Sequence, residues 1–171
     1  MAKKKESKVN LDTLRHSAAH ILAHAIKELY PKAKNTIGPA VEEGFYYDFE
    51  NLSITPEDFK TIERKMKEIA KKKYPFEKKE VTLAELKKMF KDNKYKIEMA
   101  EEFKKAGDKL TVYKSGDFVD LCRGPHMKST GDVKAFKLIK IAGAYWRGDQ
   151  KNKQLTRVYG IAFPTNRSKS G

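Results

Sequence analysis

Residues 14–29 carry the clearest pattern in the chain. Leu14, Ala18, Ile21, Leu22, Ala25 and Leu29 recur at helical spacing along one side. His16, His20 and His24 fall on the other side, with the small Ala19 and Ala23 beside them. From His16 to Ile26 there is no Lys, Arg, Asp or Glu, in a chain that is 35% charged. A helix uncharged on both faces is buried on both. Residues four apart on a helix are neighbours, roughly 5–6 Å between Cβ atoms, so His16 and His20 aim at one point. A solvent face here would carry lysines, so that point is a walled cleft. Asn10 or Asp12 caps the helix, and Pro31 follows its end at Tyr30.

Further along, residues 37–49 read as strand, turn and strand, with aromatics on alternating sides. Thr55-Pro56 opens a second helix, with Pro at the first helical position. Its apolar stripe, Phe59, Ile62, Met66 and Ile69, is core packing, and Pro75 closes it. Residues 76–81 form a strand. Thr82-Leu83-Ala84-Glu85 is a capping box for a short helix reaching Asp92. Residues 95–99 alternate as a strand. Residues 110–113 and 118–121 flank a hairpin turn at Ser115-Gly116-Asp117. Residues 136–141 and 155–163 are further strands. The order predicts an α+β fold in two layers, an antiparallel sheet packed on a long central helix plus shorter helices. Residues 1–10 read as a basic flexible tail, 11–164 as one domain and 165–171 as a second tail.

Charge sharpens this picture. The chain has 37 Lys+Arg against 23 Asp+Glu, a formal net charge of +14, which favours a polyanionic partner. No apolar run approaches the roughly 20 residues of a membrane span, and no secretory apolar segment follows Met1. The single Cys122 excludes an internal disulfide and suits the cytosol.

The second constellation is Cys122-Arg123-Gly124-Pro125-His126. Gly-Pro forbids a helix here, so this is a tight turn at a strand end. With His16 and His20 it makes a His, His, Cys, His set, the ligand set of a tetrahedral zinc site. Four protein ligands would leave no position for a substrate. Three other readings stand beside zinc. The four residues satisfy one another as core polar groups, Cys122 is a nucleophile activated by His126, or the set binds a water and polar groups of a substrate directly.

Five stretches decide among these. Arg15-His16-Ser17-Ala18-Ala19-His20, Ile37-Gly38-Pro39, Gly44-Phe45-Tyr46-Tyr47-Asp48, the run from Asp120 to His126, and Ala142-Gly143-Ala144-Tyr145-Trp146-Arg147-Gly148-Asp149 stand in that order. Together they resemble the editing domain of bacterial-type threonyl-tRNA synthetases, over residues 9–163. HxxxH with CxxxH is also the pattern of the related alanyl-tRNA editing domains, where it holds zinc. The stretches around Cys122 and Trp146 favour the threonyl branch.

The resemblance implies hydrolysis of serine wrongly attached to threonine tRNA, a cytoplasmic activity without a required metal. It implies that His16 activates or positions the attacking water, with His20, Cys122 and His126 as cleft partners. It makes Lys96 and Asp120 further catalytic groups, and Tyr47 and Arg123 substrate-binding ones. His24 is a packing histidine. The implied partner is the acceptor end of tRNA(Thr), with a threonyl-tRNA synthetase as a further candidate. The motifs of aminoacylation and anticodon-binding domains do not accompany these stretches, so the sequence reads as an editing domain alone, excised or acting in trans. An aminoacyl ester needs a placed water, a base near neutral pKa and an oxyanion stabiliser. Histidine supplies the base, Lys96 can stabilise developing negative charge, and Asp120 can orient a histidine or the substrate amine. Tyr46, Tyr47, Tyr145 or Trp146 could stack the terminal adenine, although sheet packing accounts for most of them. The rival readings are a zinc-held RNA-binding module without catalysis and an editing domain of the alanyl type.

Overall fold

The computed structural model describes residues 2–164, with side chains from Leu11 onward. The polar tail expected at 165–171 lies outside the described residues. The first helix, α1, spans Ala2–Leu29. The sequence places its start at Asn10 or Asp12, and the helix instead begins at Ala2. Residues 2–10 hold four Lys with one Ala and one Glu, all strong helix formers, and contain no Pro or Gly to stop the helix. The stretch read as a tail therefore has helical backbone from Ala2.

Leu14, Ala18, Ala19, Ile21, Leu22, Ala23, Ala25 and Ile26 are all buried, so α1 is enclosed on both faces between Ala18 and Ile26. Two short strands follow it, β1 (Lys34–Asn35) and β2 (Ala40–Val41), and then β3 (Gly44–Glu50). Next comes α2 (Phe59–Lys71), entered through a 3-10 turn at Pro56–Asp58 where the Thr55 N–H donates to Asp58 Oδ2 at 2.8 Å. Phe59, Ile62, Met66 and Ile69 of α2 pack in the same core as α1. Truncating such a side chain costs about 2–5 kcal/mol.

The expected single sheet is in fact two. After α2 run β4 (Glu77–Val81), α3 (Leu83–Met89), α4 (Lys94–Lys105), β5 (Leu110–Ser115), β6 (Phe118–Leu121), β7 (Ala135–Tyr145) and β8 (Gln154–Phe163). The larger sheet has the order β1-β3-β8-β7, with β2 pairing β3, and all its pairs are antiparallel. The smaller has the order β4-β5-β6, also antiparallel. The larger sheet meets α1 and α2 through Phe45, Tyr47, Phe49, Phe136, Leu138 and Val158. The smaller sheet and α3 and α4 share a second core of Val81, Leu86, Phe90, Ala100, Leu110, Val112 and Leu121. Phe118 of β6 reaches into the first core, and Tyr95, Trp146 and Leu155 join α4 to the β7–β8 hairpin.

Residues 95–99 also differ from the expectation. They lie in α4, not in a strand. Asn93 caps that helix, accepting from the N–H groups of Tyr95 at 3.1 Å and Lys96 at 3.3 Å. The alternation that suggests a strand arises because one buried helical position holds a lysine, Lys96. The Thr82–Glu85 capping box is present, with the Glu85 N–H donating to Thr82 Oγ1 at 3.1 Å and the Thr82 N–H to Glu85 Oε1 at 2.9 Å. No helix among the described residues is long and apolar enough to cross a membrane.

Candidate active site

The two layers of structure leave a cavity of about 370 Å³ between α1, the loop after β1, α4 and the end of β6. His16, His20, Tyr47, Lys96, Asp120, Cys122, Arg123 and His126 all line it, so every expected site residue meets there. Ala19 and Ala23, beside the histidines on α1, pack in the core. The wall is made by Ile37, Gly38, Pro39, Met99, Phe103 and Leu121. A Cβ on Gly38 would overlap the Tyr47 ring, so the absence of a side chain there lets the loop after β1 lie against that ring.

Three of the four expected ligand residues form one cluster. Cys122 Sγ lies 3.3 Å from His16 Nε2 and 3.3 Å from His126 Nε2. The turn that achieves this depends on Gly124, whose φ is +74° and where a Cβ would collide with the Tyr113 hydroxyl. The Gly124 N–H donates to Cys122 Sγ at 3.3 Å. Ser17, which the sequence reading passed over, supports the cluster from α1. Its Oγ accepts from the Met127 N–H at 2.9 Å and lies 3.0 Å from His126 Nδ1.

His16 Nε2 and His126 Nε2 both face the Cys122 sulfur, and the Pro125 backbone beside the His16 ring partly offsets the effect of burial on it. Burial lowers the pKa of His16, and it holds His126 down at about 2, with His20 and His16 adding to the effect. Burial also pushes the Cys122 thiol up to about 11. At neutral pH the histidines are neutral and the thiol is protonated, which argues against Cys122 as an activated nucleophile.

His20 is the exception in the ligand set. It lines the cavity and its ring contacts that of His126 at 5.1 Å, but its Nε2 bonds to Ser115 Oγ at 2.9 Å. The same hydroxyl lies 3.4 Å from His24 Nδ1, and His24 stacks on Phe118 at 5.1 Å, the packing role expected of it. Metal ligation therefore rests on His16, Cys122 and His126, whose donor atoms lie within 4.8 Å of one another. Ligands on one tetrahedral zinc, at about 2.3 Å for sulfur and about 2.0–2.1 Å for nitrogen, stand about 3.5 Å apart. The S–N pairs at 3.3 Å are close to this, so the cluster is compatible with zinc. It would leave a fourth position open, unlike the four-ligand set that the zinc reading of the sequence requires.

Opposite this cluster is a buried polar group. Lys96 Nζ lies 2.8 Å from Asp120 Oδ1, and donates to the Thr36 carbonyl at 2.6 Å and to the Tyr47 hydroxyl at 2.9 Å. Tyr47 in turn donates to Asp120 Oδ2 at 2.5 Å. Lys96 is 1% exposed and Asp120 4%, so both charges are paired out of water. Burial, reinforced by Asp120, raises the Tyr47 pKa well above its ordinary value and keeps the phenol protonated. Arg123 stands at the rim, with its guanidinium on Asp108 at 2.7 Å and over the Phe103 ring at 4.5 Å. Of the other aromatics, Trp146 is buried against Tyr95, and Tyr46 lies under the Arg157 guanidinium.

Residues 110–159, from β5 into β8, match the family described as "Threonyl and Alanyl tRNA synthetase second additional domain". That description agrees with the resemblance carried by the motifs. Over 95% of its length the chain is 51% identical to the threonine–tRNA ligase of Rubrobacter xylanophilus, of which it spans 25%. It is 53% identical over 90% of its length to that of Citrifermentans bemidjiense, and 54% identical over 87% to that of Thermotoga neapolitana, spanning 24% of each. The chain thus matches a threonyl-tRNA synthetase editing domain and covers about a quarter of these relatives.

Proposed function

We propose that this chain hydrolyses the ester of seryl-tRNA(Thr), releasing serine and the free ribose hydroxyl. The observation that carries this reading is a neutral, partly buried His16 facing the same 370 Å³ cavity as the Lys96–Asp120–Tyr47 group. The Cys122 thiol turns away from His16 Nε2, which then takes a proton from water as the water oxygen attacks the ester carbon. The positive charge of the Lys96 ammonium stabilises the negative charge that develops on the carbonyl oxygen, with Tyr47 holding Lys96 in place. The bond to the ribose oxygen then breaks, and the proton returns from His16 to that oxygen. Asp120 holds Lys96 and Tyr47 and faces the amine of the bound residue.

The base, the charge stabiliser and the binding groups are all side chains of this chain, so the reading requires no metal. A zinc ion held by His16, Cys122 and His126 would supply Lewis-acid polarisation and a bound water of lowered pKa. A zinc-held module without catalysis would have no need of a buried Lys, Asp and Tyr beside the ligands. The similarity to threonine–tRNA ligases favours the threonyl over the alanyl type of substrate.

The partner in this reading is the acceptor end of tRNA(Thr), in the cytoplasm, with a threonyl-tRNA synthetase as source of the mischarged substrate. The +14 charge supports it, since lysines that neutralise phosphates make binding fall steeply with salt. Deacylation of seryl-tRNA(Thr) in single-turnover conditions tests the proposal, and no release of serine above the uncatalysed rate would refute it.

A further inference from the structure

Asn93 and Asn35 lie outside the cavity, and both line a separate depression behind it. Asn93 Oδ1 is fixed at the start of α4 by the N–H groups of Tyr95 and Lys96. Its Nδ2 therefore faces β1, where it donates to the Asn35 carbonyl at 2.8 Å and lies 3.4 Å from Asn35 Oδ1. With its own oxygen turned to Asn93, Asn35 presents Nδ2 on the far side. There it donates to the Tyr47 hydroxyl at 2.9 Å and to Asp120 Oδ1 at 3.3 Å. The orientation of one amide is passed to the next. The same Asn93 side chain thus anchors the helix turn that carries Lys96 and sets the donor that meets Asp120 and Tyr47.

We infer that Asn93 and Asn35 are positioning residues that hold Lys96, Asp120 and Tyr47 in the arrangement used for deacylation, an inference that rests on the function proposed above. The helix cap alone does not need an amide, because Asp and Ser cap as well as Asn. Donation to Asn35 does need one. Asn93→Asp keeps the cap but sets an acceptor against the Asn35 carbonyl and Oδ1. The Asn35 amide then turns, and its Nδ2 leaves Tyr47 and Asp120.

The test is a cycle of wild type, Asn93→Asp, Asn35→Ala and the double variant, read by single-turnover seryl-tRNA(Thr) deacylation and by thermal melting. Asn93→Ser serves as a second cap-preserving variant. Asn93→Asp and Asn93→Ser should melt within about 3 °C of wild type. Their substrate affinity should be retained, and the chemical rate should fall about ten- to a hundredfold, the scale of an ångström of misplacement. In the Asn35→Ala background, Asn93→Asp should cost less than about twofold more, because the relay is already cut. Wild-type rates in Asn93→Asp, or losses that multiply independently, would overturn the inference. Absence of deacylation by wild type would instead refute the proposed function. In that event the relay is read from the Lys96 15Nζ resonance. It should move in both single variants and no further in the double, and an unmoved resonance in Asn93→Asp would overturn the relay.

Discussion

Lys96 and Asp120 form an ion pair of 2.8 Å whose two side chains are almost wholly shielded from water. The pair joins α4 to β6 across the floor of the cavity, and Tyr47 and the Thr36 carbonyl satisfy its remaining polar atoms. Breaking a buried pair by removing one partner costs about 3–5 kcal/mol, because the other charge is left uncompensated. Lys96→Met and Asp120→Leu should each lower the urea-unfolding free energy by that amount. The double variant should be more stable than either single one. Single variants within about 1 kcal/mol of wild type would show that the pair is not buried as described.

The site was legible in the sequence where it was written in residue types with few other uses. HxxxH on an uncharged helix and the Cys-Arg-Gly-Pro-His turn led to one cavity. The parts that escaped are ordinary polar residues. Apart from the cap that Asn93 gives α4, Ser17, Asn35, Asn93, Ser115 and the Thr36 carbonyl act through partners 12 to 110 positions away. Asn93 left one readable signal, its preference for the position just before a helix. That signal was masked by the alternation of Tyr95-Lys96-Ile97-Glu98-Met99, in which a buried lysine stands where a helix usually places an apolar residue. His20 misled in another way. Its spacing from His16 is that of a metal ligand, but a serine on β5 claims its nitrogen. The two-sheet architecture was hidden because nothing in a strand's own pattern says which sheet it joins.

Acid should destabilise the fold through His20. Burial holds its pKa at about 3, against 6.5 in the unfolded chain. Below pH 6.5 the unfolded chain takes up a proton that the folded protein refuses, so stability falls as pH drops toward about 3. The slope approaches about 1.4 kcal/mol per pH unit for one such group. Unfolding followed from pH 7 to pH 4 should show this loss, and His20→Gln should make it shallower while His16 and His126, also held neutral by burial, keep the rest. A pH-independent unfolding free energy across that interval would contradict the burial of a neutral His20.

In chelator-treated protein, Cys122 should resist alkylation. Its thiol is pushed up to about 11, and a thiolate is the species that reacts with iodoacetamide. At pH 7.5 the rate should lie more than about tenfold below that of free cysteine, whose pKa is near 8.5. A rate equal to or above free cysteine would place a thiolate in the cluster and revive Cys122 as a nucleophile.

Metal content and activity should separate. His16, Cys122 and His126 fit zinc, while the proposed chemistry needs only the His16 base and the Lys96 charge. Chelator treatment should leave deacylation within about twofold of the untreated rate, because no step needs a metal-bound water. Stoichiometric zinc whose removal abolishes activity, and whose return restores it, would contradict the metal-free reading.

The central claim is that the cavity admits a serine ester, refuses the extra methyl of threonine, and uses His16 to activate water. A methyl in a fitted pocket is worth about 1–3 kcal/mol, or roughly ten- to two-hundredfold in rate. The decisive measurement is paired single-turnover deacylation of seryl-tRNA(Thr) and threonyl-tRNA(Thr) by wild type and by His16→Ala. Wild type should clear the seryl ester faster by at least that factor. His16→Ala should bind the tRNA but lose about two to four orders of magnitude in rate, the range of a lost general base. Equal rates on the two esters, or an unimpaired His16→Ala, would contradict the account.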